Sequence, residues 1–149
     1  MVGASPTMTA RPRSDLRPKA KVLLVEDEAV IAEDLREYLY CLGYDVMGLV
    51  RSAAAAVRAI EQQRVDLVLM DISLRGRLEG IEATVEIEDR FGVPVIYLSG
   101  CTWPEIAARV VCSQPSGFVA KPYDSTHLAR VIARVLQGPG AMAGSPLAH

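Results

Sequence analysis

The chain has 149 residues, half of them hydrophobic, which suffices for one compact domain with a substantial core. Its formal net charge of −2 excludes a general electrostatic attraction to nucleic acid or to an anionic membrane, so we expect no specific DNA binding. The first residues lack the apolar core of a secretory signal, and no apolar run is long enough to span a bilayer. These features predict a cytoplasmic protein without membrane attachment.

Both ends of the chain have the composition of flexible tails. Residues 1–20 show no periodicity and carry several basic side chains, so they predict a flexible basic tail. This tail either contacts an acidic partner or is a solvated arm without a function. Residues 138–149 are rich in Gly, Pro and Ala and predict a second flexible tail. The predicted domain therefore comprises residues 21–137.

The first predicted strand is followed directly by acidic residues. The apolar run over residues 22–25 predicts the strand, after which come Glu26, Asp27 and Glu28. Glu28 is explained by a helix start, where acidic residues are favoured, whereas Glu26 and Asp27 precede the helix. A helix is predicted over about residues 28–42 from the spacing of its apolar residues, Ile31, Leu35, Leu39 and Leu42.

The third predicted strand also ends in an acidic residue. Residues 44–50 predict strand two, and Ser52 caps the alanine-rich helix that follows it. Residues 65–74, VDLVLMDISL, contain an apolar run without alternation, which is typical of a parallel strand covered on both faces. Asp71 ends this run at the edge where open α/β sheets bind ligands. It is therefore either a reactive group or a turn residue that caps the next segment.

A hydroxyl group ends the fourth predicted strand. Helical spacing predicts a third helix over residues 81–90, and the apolar segment 94–100 predicts strand four, which ends in Ser99. Thr102 and Glu105 have the spacing of a capping box, which predicts a fourth helix. The βα alternation thus continues through the second half of the chain.

Lys121 ends the fifth predicted strand, over residues 116–123, and the last helix is predicted over residues 124–136. The chain contains thirteen arginines but only three lysines, and the other two are Lys19 and Lys21. The position of Lys121 is either chance or a requirement for a compact, rotatable ammonium beside a phosphoryl oxygen.

Five alternating βα units predict an α/β fold with a doubly wound, five-stranded parallel sheet in the order 2-1-3-4-5 and five helices. In this order the carboxyl ends of four strands bring together five polar residues, Glu26, Asp27, Asp71, Ser99 and Lys121. Three crowded carboxylates require raised pKa values or a bound cation, and oxygen ligands favour Mg²⁺ or Mn²⁺. A carboxylate beside such an ion, an ammonium and a hydroxyl is equipped to form an aspartyl phosphate.

Four segments, VLLVEDE, LVLMDISL, IYLSG and FVAKPY, resemble in order and spacing the strand ends of the response-regulator receiver domain of two-component signalling. The resemblance covers about residues 20–137 and implies a flavodoxin-like receiver fold. It further implies a signalling domain that takes a phosphoryl group from a histidine kinase or a histidine phosphotransfer protein. Such a domain is not an enzyme beyond catalysing its own phosphorylation and dephosphorylation.

The resemblance assigns a role to each residue of the predicted site. Glu26 and Asp27 resemble the acidic pair that holds Mg²⁺, and Ser73 would contribute its backbone carbonyl to the same ion. Asp71 resembles the residue that is phosphorylated and also contacts the metal. Lys121 resembles the lysine that contacts the phosphate.

Two further residues resemble the switch of the family. Ser99 corresponds to the switch hydroxyl and Phe118 to the aromatic of strand five that rotates when the phosphate arrives. The resemblance implies that the face formed by helix four, strand five and helix five then changes, so that a target protein or a second copy of the chain binds there. The residues expected on this face are Trp103, Arg109, Arg130 and Arg134.

The loop after Asp71 departs from the family pattern, because ISLRGRLEG lacks the common proline and is one residue longer than in chemotaxis-type receivers. Gly100 and Cys101 after the switch serine are a second departure, and the phosphate lifetime is therefore left open.

Two other protein classes place reactive or binding groups at the same sheet edge. A flavodoxin-type cofactor binder is disfavoured, because the acids Glu26, Asp27 and Glu28 after strand one would repel the phosphate of its cofactor. A haloacid-dehalogenase-type phosphatase is also disfavoured, because it would have a second acidic residue two positions after the strand-end aspartate, whereas position 73 is serine.

Two interpretations of the same fold stay open beside a stand-alone response regulator without an output domain. One is a receiver-like interaction module that acts without phosphorylation, since a fold can persist without its chemistry. The other is a receiver fragment of a longer regulator.

Overall fold

The computed structural model describes residues 20–72, 79–100 and 115–138 of the chain. Within these ranges five strands form one parallel sheet in the order β2-β1-β3-β4-β5. The strands are β1 (Lys21–Val25), β2 (Asp45–Val50), β3 (Leu67–Ile72), β4 (Val95–Ser99) and β5 (Gly117–Ala120). The predicted α/β fold and its strand order are confirmed.

Four helices are described, α1 (Ala29–Cys41), α2 (Ala53–Gln62), α3 (Glu79–Glu86) and α4 (Ser125–Leu136). A π-helical turn, Ile87–Phe91, extends α3, and the chain leaves it through Gly92 in a left-handed conformation with φ of 70°. Helix α4 is the one that the sequence predicts as the fifth. The predicted fourth helix from Thr102 lies outside the described residues, as do residues 1–19 and 139–149. None of the described helices is long and apolar enough to cross a membrane.

Side-chain caps fix where two of the helices begin. The Ser52 hydroxyl accepts a hydrogen bond from the Ala55 amide at 3.1 Å at the start of α2. The Asp124 carboxylate accepts hydrogen bonds from the amides of Thr126 and His127, at 2.7 and 3.2 Å, at the start of α4. These amides have no partner within the helix, so the caps stabilise both starts. Helix α4 thereby begins four residues after Lys121.

Helices cover both faces of the sheet, which explains why the strands are apolar without alternation. Successive strand residues enter two separate cores, since Leu23 and Met70 lie in one and Leu24 and Leu69 in the other. The first core also holds helix residues Ala56, Ile60 and Ile87. The second holds Leu35, Leu39, Leu128, Val131 and Ile132.

The buried stripe of α3 runs through a polar residue. Thr84 is 1% exposed and Ile87 is fully buried, whereas Val85 is 36% exposed. The helical spacing of apolar residues in the sequence groups Val85 with Ile87. The structure instead uses Thr84, three residues before Ile87, which an apolar pattern overlooks.

Candidate functional site

The carboxyl ends of four strands meet at one edge of the sheet and carry the predicted site residues. Glu26 and Asp27 directly follow β1, and Asp71 is the next-to-last residue of β3. Ser99 ends β4, paired in register with Ile72 of β3 and Ala120 of β5. Lys121 follows β5. The structure therefore brings these five residues to one edge, while their chemical roles stay predictions.

Three carboxylates crowd together at this edge. Oxygen atoms of Glu26, Asp27 and Asp71 all lie within 4.8 Å of one another. Glu26 is buried, Asp71 is half-buried and Asp27 is exposed. Since like charges at such distances repel one another, the cluster favours a bound cation or a protonated member.

Glu26 is the member for which burial has the clearest consequence. Its Oε2 accepts a hydrogen bond from the Glu28 amide at 3.2 Å, but its buried Oε1 has no hydrogen-bond partner among the described residues. Burial raises the pKa of the Glu26 carboxyl, and the negative charge of Asp71 raises it further. A buried carboxylate oxygen without a partner is costly unless another ligand satisfies it.

Lys121 reaches across the sheet to the central carboxylate. Its Nζ donates a hydrogen bond to Asp71 Oδ1 at 2.7 Å, which is the length of a strong charge-assisted bond. Burial alone would lower the pKa of Lys121, but the hydrogen bond and charge of Asp71, with the charge of Glu26, raise it. Lys121 is thus held in its charged form against Asp71.

The cluster fits a divalent cation. All its ligand atoms are carboxylate oxygens, the hard donors that such ions prefer. One of the three carboxylates, that of Glu26, also has a buried oxygen without a hydrogen-bond partner among the described residues. Glu26, Asp27 and Asp71 can therefore hold a metal ion. Ser73, whose backbone carbonyl the sequence predicts as a further ligand, lies outside the described residues.

The two predicted switch residues lie on neighbouring strands. Ser99 is fully buried, and its backbone carbonyl accepts a hydrogen bond from the Lys121 amide at 2.6 Å. Phe118 is half-buried, pairs in register with Tyr97 and packs against the first core. Trp103 and Arg109 lie outside the described residues, whereas Arg130 is exposed and Arg134 half-buried on α4.

Tyr123 belongs to this neighbourhood, although the sequence interpretation gives it no role. It is half-buried and packs against the second core, and burial raises the pKa of its phenol. The charges of Lys121, Glu26 and Asp71 also act on the phenol, with opposite signs for the lysine and the two acids. An aromatic residue two positions after the strand-end lysine was the available signal.

Comparison with known proteins identifies the family. Residues 22–133 match the family model described as "Response regulator receiver domain". The chain belongs to this family. As a receiver domain, it is 33% identical over 117 residues to the phyllosphere-induced regulator PhyR of Methylorubrum extorquens, covering 78% of this chain and 43% of PhyR. It is 30% identical over 119 residues to the transcriptional regulatory protein PdtaR of Mycobacterium tuberculosis, covering 80% of this chain and 58% of PdtaR.

Solved receiver structures share the fold. The solution NMR structure of the PhyR response regulator REC domain of Erythrobacter litoralis superposes with a TM-score of 0.70 and 28% sequence identity. The match covers 85% of this chain and 96% of that domain. This receiver therefore corresponds to a whole receiver domain there, whereas it spans about half the length of the curated relatives, 43% of PhyR and 58% of PdtaR.

Proposed function

We propose that this receiver accepts a phosphoryl group on Asp71 from a histidine kinase or a histidine phosphotransfer protein, in the presence of Mg²⁺. The observation that carries the proposal is the Lys121 ammonium 2.7 Å from Asp71 Oδ1, next to the acidic cluster of Glu26 and Asp27. Membership of the receiver family supports the same chemistry. Mn²⁺ would serve as an alternative ion.

Asp71 is the nucleophile of the proposed reaction. One of its carboxylate oxygens attacks phosphorus, the bond from phosphorus to the donor's histidine nitrogen breaks, and an acyl phosphate remains on Asp71. The half-buried position of Asp71 allows a donor to approach it. A bound divalent ion supplies positive charge that offsets the charge of the transferring phosphoryl group.

Lys121 and the acidic pair prepare this nucleophile. Glu26 and Asp27 would hold the ion beside Asp71, and the Lys121 ammonium would transfer its hydrogen bond from the carboxylate to a phosphoryl oxygen. The activity is self-catalysed phosphorylation and dephosphorylation: the donor supplies the phosphoryl group, and water later cleaves the acyl phosphate to the Asp71 carboxylate and inorganic phosphate. No separate substrate is turned over.

The phosphorylated state would be read at the face that includes β5 and α4. The buried Ser99 hydroxyl lies at the end of β4, and Phe118 lies on the neighbouring strand β5. A hydrogen bond from the Ser99 hydroxyl to a phosphoryl oxygen would draw the Ser99 side chain towards the phosphoryl group. Phe118 could then repack into the space that Ser99 leaves. We propose that a target protein or a second copy of the chain binds this face, with the predicted fourth helix as its third part.

Intact-mass measurement after treatment with acetyl phosphate and Mg²⁺ tests the proposed function. We expect a phosphoryl adduct on the wild-type chain that is lost when Mg²⁺ is omitted. Asp71→Asn should abolish the adduct, because an amide oxygen is a poor nucleophile. Asp89→Asn, at an exposed aspartate of the π-helical turn, is the matched control and should retain it. An adduct that persists in Asp71→Asn would refute the assignment.

A further inference from the structure

Tyr38 joins α1 to the start of α4 by a hydrogen bond. Its hydroxyl donates to the backbone carbonyl of Ser125 at 2.5 Å, and the two residues are 87 positions apart in the sequence. Ser125 is the first residue of α4. The bond therefore links the first turn of α4 to α1.

Ser125 is also one end of the loop that carries Lys121. At the other end of this loop, the Lys121 amide donates to the Ser99 carbonyl at 2.6 Å and its ammonium contacts Asp71. Only three residues separate Lys121 from Ser125, and the first of them is proline, which restricts the backbone. A short stretch of chain therefore joins the contacts of Lys121 to the contact of Ser125 with Tyr38.

Tyr123 places the middle of the loop against the core on the α1 side of the sheet. Its half-buried side chain packs against the second core, to which α1 contributes Leu35 and Leu39. The charges of Lys121 and Asp71 act on the same phenol, so the ring lies close to the acidic site. The middle of the loop thus packs on the core that α1 helps to form, and its end is hydrogen-bonded to α1.

We propose that Tyr38 is a positioning residue, whose hydrogen bond to Ser125 holds the Lys121–Ser125 loop against α1 and keeps the Lys121 ammonium directed at Asp71. The inference rests on the proposed function for the use of that ammonium at the phosphoryl group. The placement of Lys121 itself does not depend on phosphorylation, and the two can be tested separately.

Tyr38→Phe removes the hydroxyl and keeps the aromatic ring, so it deletes the hydrogen bond with little change in packing. Tyr44→Phe is the matched control, because Tyr44 is also half-buried and packs against the second core. Tyr44 precedes β2 and therefore lies at the amino ends of the strands, away from the acidic site. Both variants should fold as the wild type does.

The first measurement is NMR of the metal-free chain. Tyr38→Phe should shift the backbone amide and side-chain resonances of Lys121, whereas Tyr44→Phe should leave them in place. Ring-current changes do not explain such a shift, since the ring is retained. Unchanged Lys121 resonances in Tyr38→Phe would overturn the proposal, whatever the chain does with a phosphoryl group.

The second measurement is the affinity for beryllofluoride, a phosphoryl mimic, with Mg²⁺ present. Tyr38→Phe should weaken binding roughly threefold to tenfold, the range expected for the loss of one hydrogen bond. In a Lys121→Ala background the same change should have less than about a twofold effect, because the group that Tyr38 positions is absent. Equal weakening in both backgrounds would contradict a role through Lys121. Failure of the wild type to bind the mimic would refute the proposed function and leave the NMR result to decide the positioning.

Discussion

The Lys121 ammonium bonds to Asp71 Oδ1 at 2.7 Å across 50 positions of sequence, while the carboxylates of Glu26 and Asp27 face the same aspartate. When all four groups are ionised, three negative charges stand against one positive charge. The remaining charge of −2 equals that which a divalent cation neutralises. The three acids therefore create the need for a cation, and the single ammonium meets only part of it.

Glu26→Gln should stabilise the metal-free chain and weaken its binding of Mg²⁺. The substitution removes a buried charge that Asp71 repels and that has one oxygen without a partner among the described residues. We therefore expect a gain of about 1 kcal/mol in unfolding free energy without metal. It also removes a charged ligand, so Mg²⁺ affinity should fall by roughly tenfold or more. Chemical denaturation without metal and Mg²⁺ titration by NMR measure the two effects. A variant that is destabilised without metal and binds Mg²⁺ unchanged would contradict both expectations.

Glu88 should make stability depend on pH in a direction opposite to that of most carboxylates. Its Oε2 accepts hydrogen bonds from the Val95 amide at 3.0 Å and the Ser116 hydroxyl at 2.8 Å, but burial dominates and raises its pKa above the ordinary value. The folded state therefore binds a proton that the unfolded state has already released. Its contribution to stability is complete below the ordinary pKa and is lost as pH rises through the raised one.

Glu88→Gln isolates this effect, because glutamine keeps an oxygen acceptor and cannot titrate. Relative to the wild type, the variant should gain unfolding free energy as pH rises from about 4 to about 7. Urea denaturation across this pH range measures the difference. Glu82→Gln, at an exposed glutamate of α3, is the control and should parallel the wild type. A stability difference between Glu88→Gln and the wild type that is constant with pH would rule out the shifted titration.

Gly117→Ala should destabilise the fold, because α4 packs directly on this position of β5. An added Cβ would lie 3.0 Å from Val131 Cγ1, 3.1 Å from Ile96 Cγ1 and 3.2 Å from Val135 Cγ2. All three are branched core side chains with little freedom to move, so we expect a loss of about 1–3 kcal/mol. Gly100→Ala, where a Cβ would meet no atom of the described residues within 4 Å, should be nearly neutral in the same denaturation experiment. Equal stability of both variants would show that α4 can shift away from β5.

Ser99→Ala should leave phosphorylation of Asp71 largely intact and uncouple it from the β5 and α4 face. The hydroxyl is fully buried at the end of β4 and is the proposed contact that reports the phosphoryl group. Chemical-shift mapping with and without beryllofluoride should show changes at Phe118 and along α4 in the wild type and reduced changes there in the variant. If the wild-type changes stay confined to the acidic pocket, the proposed switch is wrong.

The sequence alone determined the sheet and the location of the site. Unbroken apolar runs such as VLLV and LVLM require cover on both faces, and their alternation with helical segments leaves few topologies besides the observed order. A polar residue that ends such a run must lie at the carboxyl edge of the sheet. Glu26, Asp71, Ser99 and Lys121 could therefore be grouped before any coordinates, and the structure places all four at that edge.

Only the tertiary structure decided which of these residues touch and which others support them. The contact between Tyr38 and Ser125 joins helices that are far apart in the sequence, and no periodicity predicts it because it depends on how α1 and α4 pack. An apolar pattern misses Thr84 for a related reason, since a polar residue in a buried stripe does not register in it. Nor does such a pattern predict the hydrogen bond that Glu88 accepts from Ser116. Local sequence determines the spacing of hydrophobic residues. The burial of a particular polar atom depends instead on neighbours from distant parts of the chain, and this burial is what raises the pKa of Glu26.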